Sequence, residues 1–374
     1  MKENKYDLLI VGGGLAGLSA AIQFAKDDRK VILFEKEFYP FHKVCGEYIS
    51  NESLAFLESL GIPISEMNLP KIHRLRLSDP NGDCLEEELK MGGFGISRFR
   101  LDELLMQKAI ELGVDIREGV EVKGWTFDEQ QDFALEAEEK VYQGKLLVAA
   151  YGKRSKLDHW LQRPFMLKKE PYVAVKYHIR YPVNRTEIVL HNFKNGYCGM
   201  SAIEDDRVCL CYLAHADDLK KEGSIAELER NVLSKNPHLA HIFKHAEFLY
   251  EKPLVISRFS FKNKKQLINH AVFVGDAAGL IPPLSGNGMS MALHGSKLFY
   301  QTFSDYLDIR ITRAEAEYNY QKLWKDQFAL RIKIGSALQA MFGSERKTVY
   351  LLKTLRPFKF IRQKLLRLTH GKSY

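Results

Sequence analysis

A glycine-rich stretch between a strand pattern and a helix pattern, near the start of the chain, constrains the fold more than any other feature. The apolar run YDLLIV at 6–11 predicts a buried strand, and GGGLAG follows it directly. The next residues, SAAIQFAK, have the apolar spacing of a helix that packs on a sheet. A second strand pattern, VILF at 31–34, ends at Glu35. This order predicts a βαβ unit with parallel strands.

The glycine spacing in this unit matches the dinucleotide-binding pattern G-x-G-x-x-G at Gly12, Gly14 and Gly17. Three glycines alone occur in ordinary loops, but here a strand precedes them, a helix follows and an acid ends the second strand. Gly12 would allow the tight turn, Gly14 would let the backbone approach a pyrophosphate, and Gly17 would allow close helix packing. Glu35 could accept hydrogen bonds from both hydroxyls of an adenosine ribose, which disfavours NADP as the tightly bound nucleotide.

A second stretch, FVGDAAGLIPPLSGNGMSM at 273–291, has the chemistry of a further nucleotide contact. A strand pattern leads to Asp276, whose carboxylate could bind a polyol hydroxyl; the alternative is that Asp276 caps a helix or stabilises a turn. Gly286 and Gly288 flank the predicted start of a long helix, where free N–H groups and a partial positive charge favour a negatively charged ligand. Such a helix start would stabilise the anion of a reduced isoalloxazine ring.

Alternating patterns in the middle of the chain predict a second, β-rich domain. The run HRLRLSDPNGDCLEEEL reads as a hairpin with Asp-Pro-Asn-Gly turn chemistry, and several short β runs lie between 172 and 261. In between, the pattern predicts a helix at 101–112 and a strand of the first domain at 119–125. After Ile309 the pattern is helical to the end and is interrupted at Pro357.

The net positive charge of the chain is concentrated in its last segment. The sequence has a formal net charge of +8, and residues 346–374 contain nine Lys or Arg and no Asp or Glu. The remainder is therefore close to neutral, which argues against a nucleic-acid partner. Within the segment, FKFIRQKLLRL at 358–368 has apolar residues at helical spacing. It could contact an anionic membrane surface peripherally; the alternative is a helix packed on its own core.

Other features favour an ordinary globular protein in a reducing compartment. No stretch approaches the roughly 20 apolar residues that span a bilayer, and the first residues are too short and polar for a signal peptide. We therefore expect a cytoplasmic protein, peripheral to the inner face of a membrane if the tail binds lipid. The five cysteines form no CxxC pair and are odd in number, so reduced thiols are expected and a structural metal site is not.

Several motifs together resemble one enzyme family. GGGLAG, Glu35-Lys36, VCGE, ISRFRLD and VGDAAGLIPPLSGNG are similar to the FAD-dependent geranylgeranyl reductases, within the para-hydroxybenzoate hydroxylase superfamily. The resemblance runs from residue 6 to about residue 300. It implies an α/β fold with a discontinuous, glutathione-reductase-like Rossmann domain that binds FAD, an inserted β-rich substrate domain and a helical C-terminus. The implied ranges are 1–70, 95–160 and 262–300 for the FAD-binding domain, 71–94 and 161–261 for the substrate-binding domain, and 301–374 for the C-terminal region with its basic tail.

The resemblance also implies which residues contact FAD. Besides Glu35 and Asp276, these are Ala16, Cys45, Gly46, Tyr48, Arg98, Val122, Gly288 and Met289. Lys36, beside Glu35, and Gly286, at the predicted helix start, complete the candidate set. Tyr48 could be either a wall of the pocket or a flavin contact. Arg98 also has a physical case, as a guanidinium suited to polar groups of FAD, with a surface ion pair to Asp102 as the alternative.

The segment FHKVCGEYIS at 41–50 combines a cysteine and a glycine where the nucleotide is expected. It follows the strand that ends at Glu35 and so leaves the carboxyl edge of the sheet, where nucleotides bind in doubly wound folds. Gly46 would let the backbone approach a planar ring, because any side chain would push the loop away. Cys45 is the candidate catalytic residue, as an acid–base or redox group; the alternative is a small, polarizable side chain packed beside the flavin.

Two positions depart from the family pattern. Tyr151-Gly152 stands where the superfamily has Asp-Gly, a carboxylate linked to FAD and NAD(P)H handling, so NAD(P)H and a ferredoxin-like protein are both open as electron donors. The stretch 197–202 lacks the Tyr-x-Trp-x-Phe-Pro run of the reductases. We expect an FAD-dependent oxidoreductase with a largely apolar substrate, an isoprenoid, lipid or polyketide, that acts by C=C reduction or monooxygenation. The alternative is a flavin-binding, membrane-docked interaction protein without turnover.

Overall fold

The computed structural model describes residues 5–128, 132–167, 171–257, 261, 264–342 and 344–374. Within them the strands are β1 (Lys5–Val11), β2 (Val31–Phe34), β3 (Tyr48–Ser50), β4 (Lys71–Ser78), β5 (Cys84–Gly95), β6 (Asp115–Arg117), β7 (Gly124–Phe127), β8 (Phe133–Ala137), β9 (Lys140–Ala149), β10 (Tyr172–Arg180), β11 (Glu187–Phe193), β12 (Gly196–Ala202), β13 (Val208–His215), β14 (Glu247–Phe248), β15 (Leu254–Ser257), β16 (Leu267–Ile268) and β17 (Ala271–Phe273). The α-helices are α1 (Leu15–Lys26), α2 (Leu54–Ser59), α3 (Arg98–Glu111), α4 (Lys156–Trp160), α5 (Ala216–Glu222), α6 (Ile225–Asn231), α7 (Pro237–His245), α8 (Gly288–Leu307), α9 (Arg313–Phe342), α10 (Glu345–Leu355) and α11 (Lys359–Thr369).

The first sheet is parallel at its centre, with the strand order β16-β17-β9-β1-β2-β6. Strand β1 pairs in parallel with β2 and β9, and β9 pairs in parallel with β17. Helices α1, α3 and α8 cover this sheet because their apolar residues are buried in one core with those of the strands. Since the central strands are parallel, the loops that follow β1, β2, β9 and β17 meet at one edge of the sheet.

The second sheet has the order β14-β10-β13-β12-β11-β4-β5-β3, and all its pairs are antiparallel except β4 with β11. Residues of β10, β12 and β13 form a separate core with helices α6 and α7. Because side chains alternate along a strand, the other face of β10 and β13 presents Lys176 opposite Cys211 and His178 opposite Cys209. This face meets the segment that follows β2.

The C-terminal helices pack on the rest of the protein. Helix α9 contacts α8, and α11 contacts both α9 and β5. On α11, Arg362 forms an ion pair with Glu87, and Gln363 Nε2 donates to Glu87 Oε2 at 2.7 Å. The packed-helix alternative for 358–368 is therefore present, although Phe358, Phe360 and Ile361 stay exposed. Within the described ranges, no helix is both long and apolar enough to cross a bilayer.

The predicted fold class is confirmed: a parallel α/β sheet, a β-rich second sheet and a helical C-terminus. The strand expected at 119–125 is wrong, because only Gly124 and Trp125 lie in one, at the start of β7. The reason is that the backbone N–H of Val120 donates to the carbonyl of Glu35, outside any ladder. The domain ranges stay a prediction, and the boundary at 262 lies outside the described residues.

Candidate active site

The glycine loop after β1 has the geometry that its sequence predicts. Gly12 has φ of +105°, in the left-handed region, and a Cβ there would lie 2.6 Å from the carbonyl oxygen of Ala150. A Cβ on Gly17 would overlap the carbonyl oxygen of Gly12, so helix α1 packs against the turn too closely for any side chain. These contacts leave the loop N–H groups at the start of α1, where a phosphate group can bind.

Glu35, at the end of β2, is buried and bound to this loop. Its Oε2 accepts a hydrogen bond from the N–H of Gly13 at 2.8 Å, and its Oε1 accepts one from the N–H of Glu37 at 3.1 Å. The hydroxyl of Tyr39 donates to the carbonyl of Gly13. Lys36 is exposed at the rim, 3.6 Å from a carboxylate oxygen of Glu37.

Two cations lie beside Gly14 and share one carboxylate. Arg98, the first residue of α3, binds Asp102 through Nε and Nη2, both at 2.8 Å, and Lys43 Nζ binds the same carboxylate at 2.8 Å. Burial alone would raise the pKa of Asp102, but the charges of Arg98 and Lys43 lower it below its ordinary value. From a Cβ on Gly14, Arg98 Nη2 would be 3.7 Å away and Lys43 Nζ 3.8 Å.

The ion pair between Arg98 and Asp102, predicted as an alternative, is therefore present, but Asp102 is buried and Arg98 is mostly buried, so the pair is not on the surface. It holds the guanidinium at the glycine loop, so the pair and a phosphate-binding role are compatible. Lys43 was missed by the sequence reasoning. The sequence did hold one indication of its role: Lys43 lies two residues before Cys45, in the same segment that Cys45 and Gly46 predict to be near the nucleotide.

Asp276 lies in a short 3₁₀ turn, Gly275–Ala277, directly after β17. The residue at the N-cap position of this turn is Val274, so the alternative of Asp276 as an N-cap is wrong. The Asp276 carboxylate lines a cavity, and no described residue donates a hydrogen bond to it. Its backbone carbonyl, by contrast, accepts a hydrogen bond from Lys264 Nζ at 2.8 Å.

The start of α8 faces the same cavity through Gly286, Gly288 and Met289. Gly286 has φ of +64°, and a Cβ there would lie 3.7 Å from the ring of Tyr48. Asn287 occupies the N-cap position without a side-chain capping bond. Its Oδ1 and the hydroxyl of Ser290 are buried without a hydrogen-bond partner among the described residues. Neither of these side chains lines the cavity, so what this helix start offers a ligand is its backbone N–H groups at Gly288 and Met289.

The segment 43–47, here called the cysteine segment, forms another wall of the cavity. Cys45 is half-buried, whereas Gly46 is exposed to the cavity, and a Cβ on Gly46 would meet no described atom within 4 Å. Tyr48 in β3 is buried, and its hydroxyl donates to the carbonyl of Gly92 at 3.2 Å. With its hydroxyl bound there, Tyr48 turns its ring towards the cavity, an arrangement that fits both a wall and a flavin contact.

The remaining candidate residues also lie around this cavity. Val122, between β6 and β7, and Ala16, in α1, are buried at its lining. Tyr151, where the family pattern has an aspartate, lines it as well. The Tyr151 hydroxyl donates to Asp158 Oδ1 at 2.7 Å and accepts from Arg163 Nη1 at 3.0 Å. Both partners are buried, so Tyr151 is held as a neutral phenol.

The cavity has a volume of about 1080 Å³ and extends well beyond these loops. Its nucleotide end is lined by the glycine loop, the cysteine segment, Asp276 and the start of α8. Its other end, here called the apolar chamber, lies between the second sheet and helices α9–α11. Aliphatic and aromatic side chains line the chamber, including Leu75, Leu85, Ile188, Phe342, Leu352 and Leu366.

Comparison with known proteins gives one family and several relatives. A family model described as an FAD binding domain matches residues 5–299. Conditioned medium factor receptor 1 of Dictyostelium discoideum is 26% identical over 359 residues, which cover 87% of this chain and 68% of that protein. Digeranylgeranylglycerophospholipid reductase of Methanococcus vannielii is 23% identical over 343 residues, which cover 87% and 83%. The structure of PqsL, a probable FAD-dependent monooxygenase from Pseudomonas aeruginosa, shares the fold with a TM-score of 0.75 and 15% identity, covering 93% of this chain and all of that chain.

Proposed function

The chain belongs to the FAD-binding domain family and is an FAD-dependent oxidoreductase, and we propose that its substrate is a largely apolar molecule: an isoprenoid, a lipid or a polyketide. The proposed reaction is reduction of a carbon–carbon double bond or monooxygenation. One observation carries the proposal: the nucleotide end and the apolar chamber belong to the same cavity. An apolar substrate could therefore reach the cofactor without leaving the protein.

The residues of the nucleotide end fit FAD. The loop at Gly12–Gly17 and the cations of Lys43 and Arg98 would bind the pyrophosphate, and Glu35 would bind the adenosine ribose. The carboxylate of Asp276, which has no donor among the described residues, would bind a ribityl hydroxyl, and the start of α8 would face the carbonyl edge of the ring. The open space beside Gly46 supports a ring at that point, because no described atom fills it. Bound FAD would supply the electron transfer that no side chain provides.

The apolar chamber would bind the substrate through the hydrophobic effect, which contributes roughly 25 cal/mol per Å² of apolar surface removed from water. Its described lining offers no polar group to most of a hydrocarbon chain, so specificity would come from length and shape. Polar exceptions include the ion pair of Glu87 and Arg362, which lines the cavity between β5 and α11, and Thr369 and His370 at the end of α11. Enclosure by α9–α11 would also exclude water from the reacting atoms.

For the electron donor we propose NAD(P)H bound only transiently, or a ferredoxin-like protein. The support is Tyr151, which provides a neutral phenol where the family has a carboxylate. The nearby carboxylate of Asp158 does not replace it, because it is buried and paired with Arg163 at 3.2 Å. A stable, stoichiometric NADPH complex found by calorimetry would contradict this proposal.

We also propose that residues 356–361, here called the elbow, contact an anionic membrane. They connect α10 to the first turn of α11. Phe358, Phe360 and Ile361 are exposed there, although α11 packs through its other side on β5 and α9. Residues 346–374 contain nine basic and no acidic residues, and each basic residue near such a surface contributes about 1 kcal/mol. A membrane at this elbow would deliver an apolar substrate next to the chamber.

Vesicle flotation tests the membrane proposal without removing the helix that lines the chamber. Phe358→Ser/Phe360→Ser protein should float less with vesicles that contain phosphatidylserine, and wild-type protein should float poorly with phosphatidylcholine alone. Exposed Tyr318→Ser, on α9, is the control and should float like the wild type. Equal flotation of the elbow variant and the wild type would contradict the proposed contact between the elbow and the membrane.

The experiment for the reaction is anaerobic photoreduction of the purified protein followed by reoxidation. Reoxidation by apolar alkenes would support a reductase, and oxygen consumption coupled to an apolar substrate would support a monooxygenase. Bound FAD without substrate-dependent reoxidation would favour the interaction protein instead. Asp276→Ala should release the flavin, read as loss of absorbance near about 450 nm, whereas Glu111→Ala, which removes an exposed carboxylate paired with Lys108, should retain it.

A further inference from the structure

We propose that Glu47 is a positioning residue that fixes the cysteine segment at the nucleotide end of the cavity and so sets how the protein holds the flavin. This inference rests on the proposed binding of FAD beside Cys45 and Gly46. Glu47 is the last residue of the segment and borders the cavity at the nucleotide end, but it is completely buried, and the proposal gives it no part in the reaction itself. Its effect would pass through the backbone that it holds.

Each carbonyl of the cysteine segment is bound by a group from outside it. The donors come from β10, the loop after β9, β13, β12 and the residue after β5. In segment order, Lys43 accepts from Lys176 Nζ at 3.1 Å, Val44 from Lys153 Nζ at 3.2 Å, Cys45 from Cys209 Sγ at 3.3 Å, Gly46 from Ser201 Oγ at 3.2 Å, and Glu47 from the N–H of Ile96 at 3.1 Å. A segment without regular structure is thereby fixed at five successive peptide groups.

The Glu47 carboxylate adds a charged acceptor to these carbonyls, and it gathers three donors. Oε1 accepts from Lys176 Nζ and from the backbone N–H of Arg98 at 2.8 Å, and Oε2 is hydrogen-bonded to His178 Nε2 at 2.6 Å. Lys176 is completely buried, so its ammonium depends on this carboxylate for its charge partner. The Glu47 side chain therefore links the segment to β10, through Lys176 and His178, and to the start of α3, through the backbone N–H of Arg98.

The backbone of Glu47 shows that its surroundings impose its conformation. Its φ is +55°, in the left-handed region, where a Cβ comes too close to the following carbonyl oxygen. Such a conformation persists only where surrounding contacts hold it. It lies between Gly46 and β3, where the chain turns from the cavity into the second sheet. Loss of the carboxylate contacts would let this turn relax and move Gly46.

A metal ion is the rival explanation for this cluster, because ligand atoms of Glu47, His178 and Cys209 lie within 4.8 Å of one another. The Lys176 ammonium argues against it, since it already neutralises the carboxylate. Burial also raises the pKa of the Cys209 thiol well above its ordinary value, and the thiol donates to a carbonyl. Glu47, His178 and Cys209 therefore already have hydrogen-bond or charge partners within the protein, and the cluster needs no metal ion.

A double substitution tests the Glu47–Lys176 pair without leaving a buried charge unpaired, and it also removes the bond from Lys176 Nζ to the carbonyl of Lys43. Glu47→Gln/Lys176→Met removes both charges of the pair, whereas Glu47→Gln alone strands the ammonium and should unfold more easily. The control is Glu229→Gln. Glu229 is bound by the hydroxyls of Tyr177 and Tyr212 on the opposite face of β10 and β13. The readouts are thermal unfolding without FAD, the Kd for FAD, and the visible spectrum and midpoint potential of bound flavin.

The double variant is expected to unfold near the wild-type temperature without FAD, yet to bind FAD about tenfold or more weakly and to change the flavin spectrum and potential. Glu229→Gln should leave all three flavin readouts unchanged. A double variant with wild-type Kd, spectrum and potential would overturn the inference alone. Wild-type protein that takes up no FAD would overturn the proposed function and this inference with it.

Discussion

Glu35 Oε2 accepts a hydrogen bond from the N–H of Gly13 at 2.8 Å, so the acid that ends β2 also fixes the glycine loop that follows β1. Its other oxygen accepts from the N–H of Glu37. A carboxylate oxygen can accept more than one hydrogen bond, so both can still receive ribose hydroxyls. The same side chain therefore shapes the loop before any nucleotide arrives and is placed to bind one.

Glu35→Gln should weaken FAD binding by about 10- to 100-fold. The amide retains only one acceptor oxygen, so its NH₂ would face the N–H of either Gly13 or Glu37, and hydrogen bonds to a charged acceptor are worth about 1.5–3 kcal/mol. Fluorescence titration with FAD measures the effect. The control is Glu37→Gln at the exposed neighbour, which should bind like the wild type. Equal affinity of Glu35→Gln and wild type would remove Glu35 from the nucleotide site.

Gly46→Val should abolish FAD binding and leave the fold unchanged. A Cβ on Gly46 meets no described protein atom within 4 Å, so a side chain there would fill space that the proposed cofactor needs. Thermal unfolding without FAD should match the wild type, and flavin absorbance should be absent. Gly17→Ala gives the contrast, because its Cβ would overlap the carbonyl of Gly12 and destabilise the protein with or without FAD. A Gly46→Val protein that retains flavin would show that the ring lies elsewhere.

The sequence predicts those parts of the site that depend on local backbone demands. The need for glycine at Gly12 and Gly17, and the strand and helix around them, depend on residues close in the sequence. Each is found where the pattern predicts it. Lys176 could not be predicted as a partner of Glu47, because 129 positions separate them and only the packing of the second sheet on the cysteine segment brings them together. The chamber is a similar case. In the sequence, the residues that line it have the same apolar patterns as ordinary core residues, so nothing marks them as the wall of a cavity.

Acid should destabilise the folded protein partly through Glu47. Burial alone would raise its pKa, but Lys176 and His178 lower it from an ordinary 4.5 to about 2. Because the folded pKa lies below the unfolded one, this stability is fully present above about pH 4.5 and is lost as pH falls towards 2. Thermal unfolding across this range measures it. Glu47→Gln/Lys176→Met should lose less stability than wild type between pH 4.5 and 2, and parallel curves would contradict the assignment.

Cys45→Ser should retain FAD and most of the activity, because the structure favours packing as the role of this thiol. Cys45 packs against the main core, and its backbone, not its side chain, is bound by Cys209. Serine replaces only the sulfur with a smaller oxygen and leaves these backbone contacts intact. Activity with the substrate found by reoxidation measures the change, with Cys84→Ser, at the first residue of β5, as the control.

A different result would assign Cys45 to the chemistry. If Cys45→Ser held flavin with normal affinity and spectrum yet turned over orders of magnitude more slowly, packing could not explain the loss, because the cofactor would be unchanged. The thiol would then act on the substrate or as a proton donor at the cavity. Gly46, the next residue, would still serve to make room for the ring. The two residues can therefore be distinguished by experiment: Gly46→Val is expected to change binding of the cofactor, whereas any effect of Cys45→Ser would appear only in the turnover of protein that has already bound FAD.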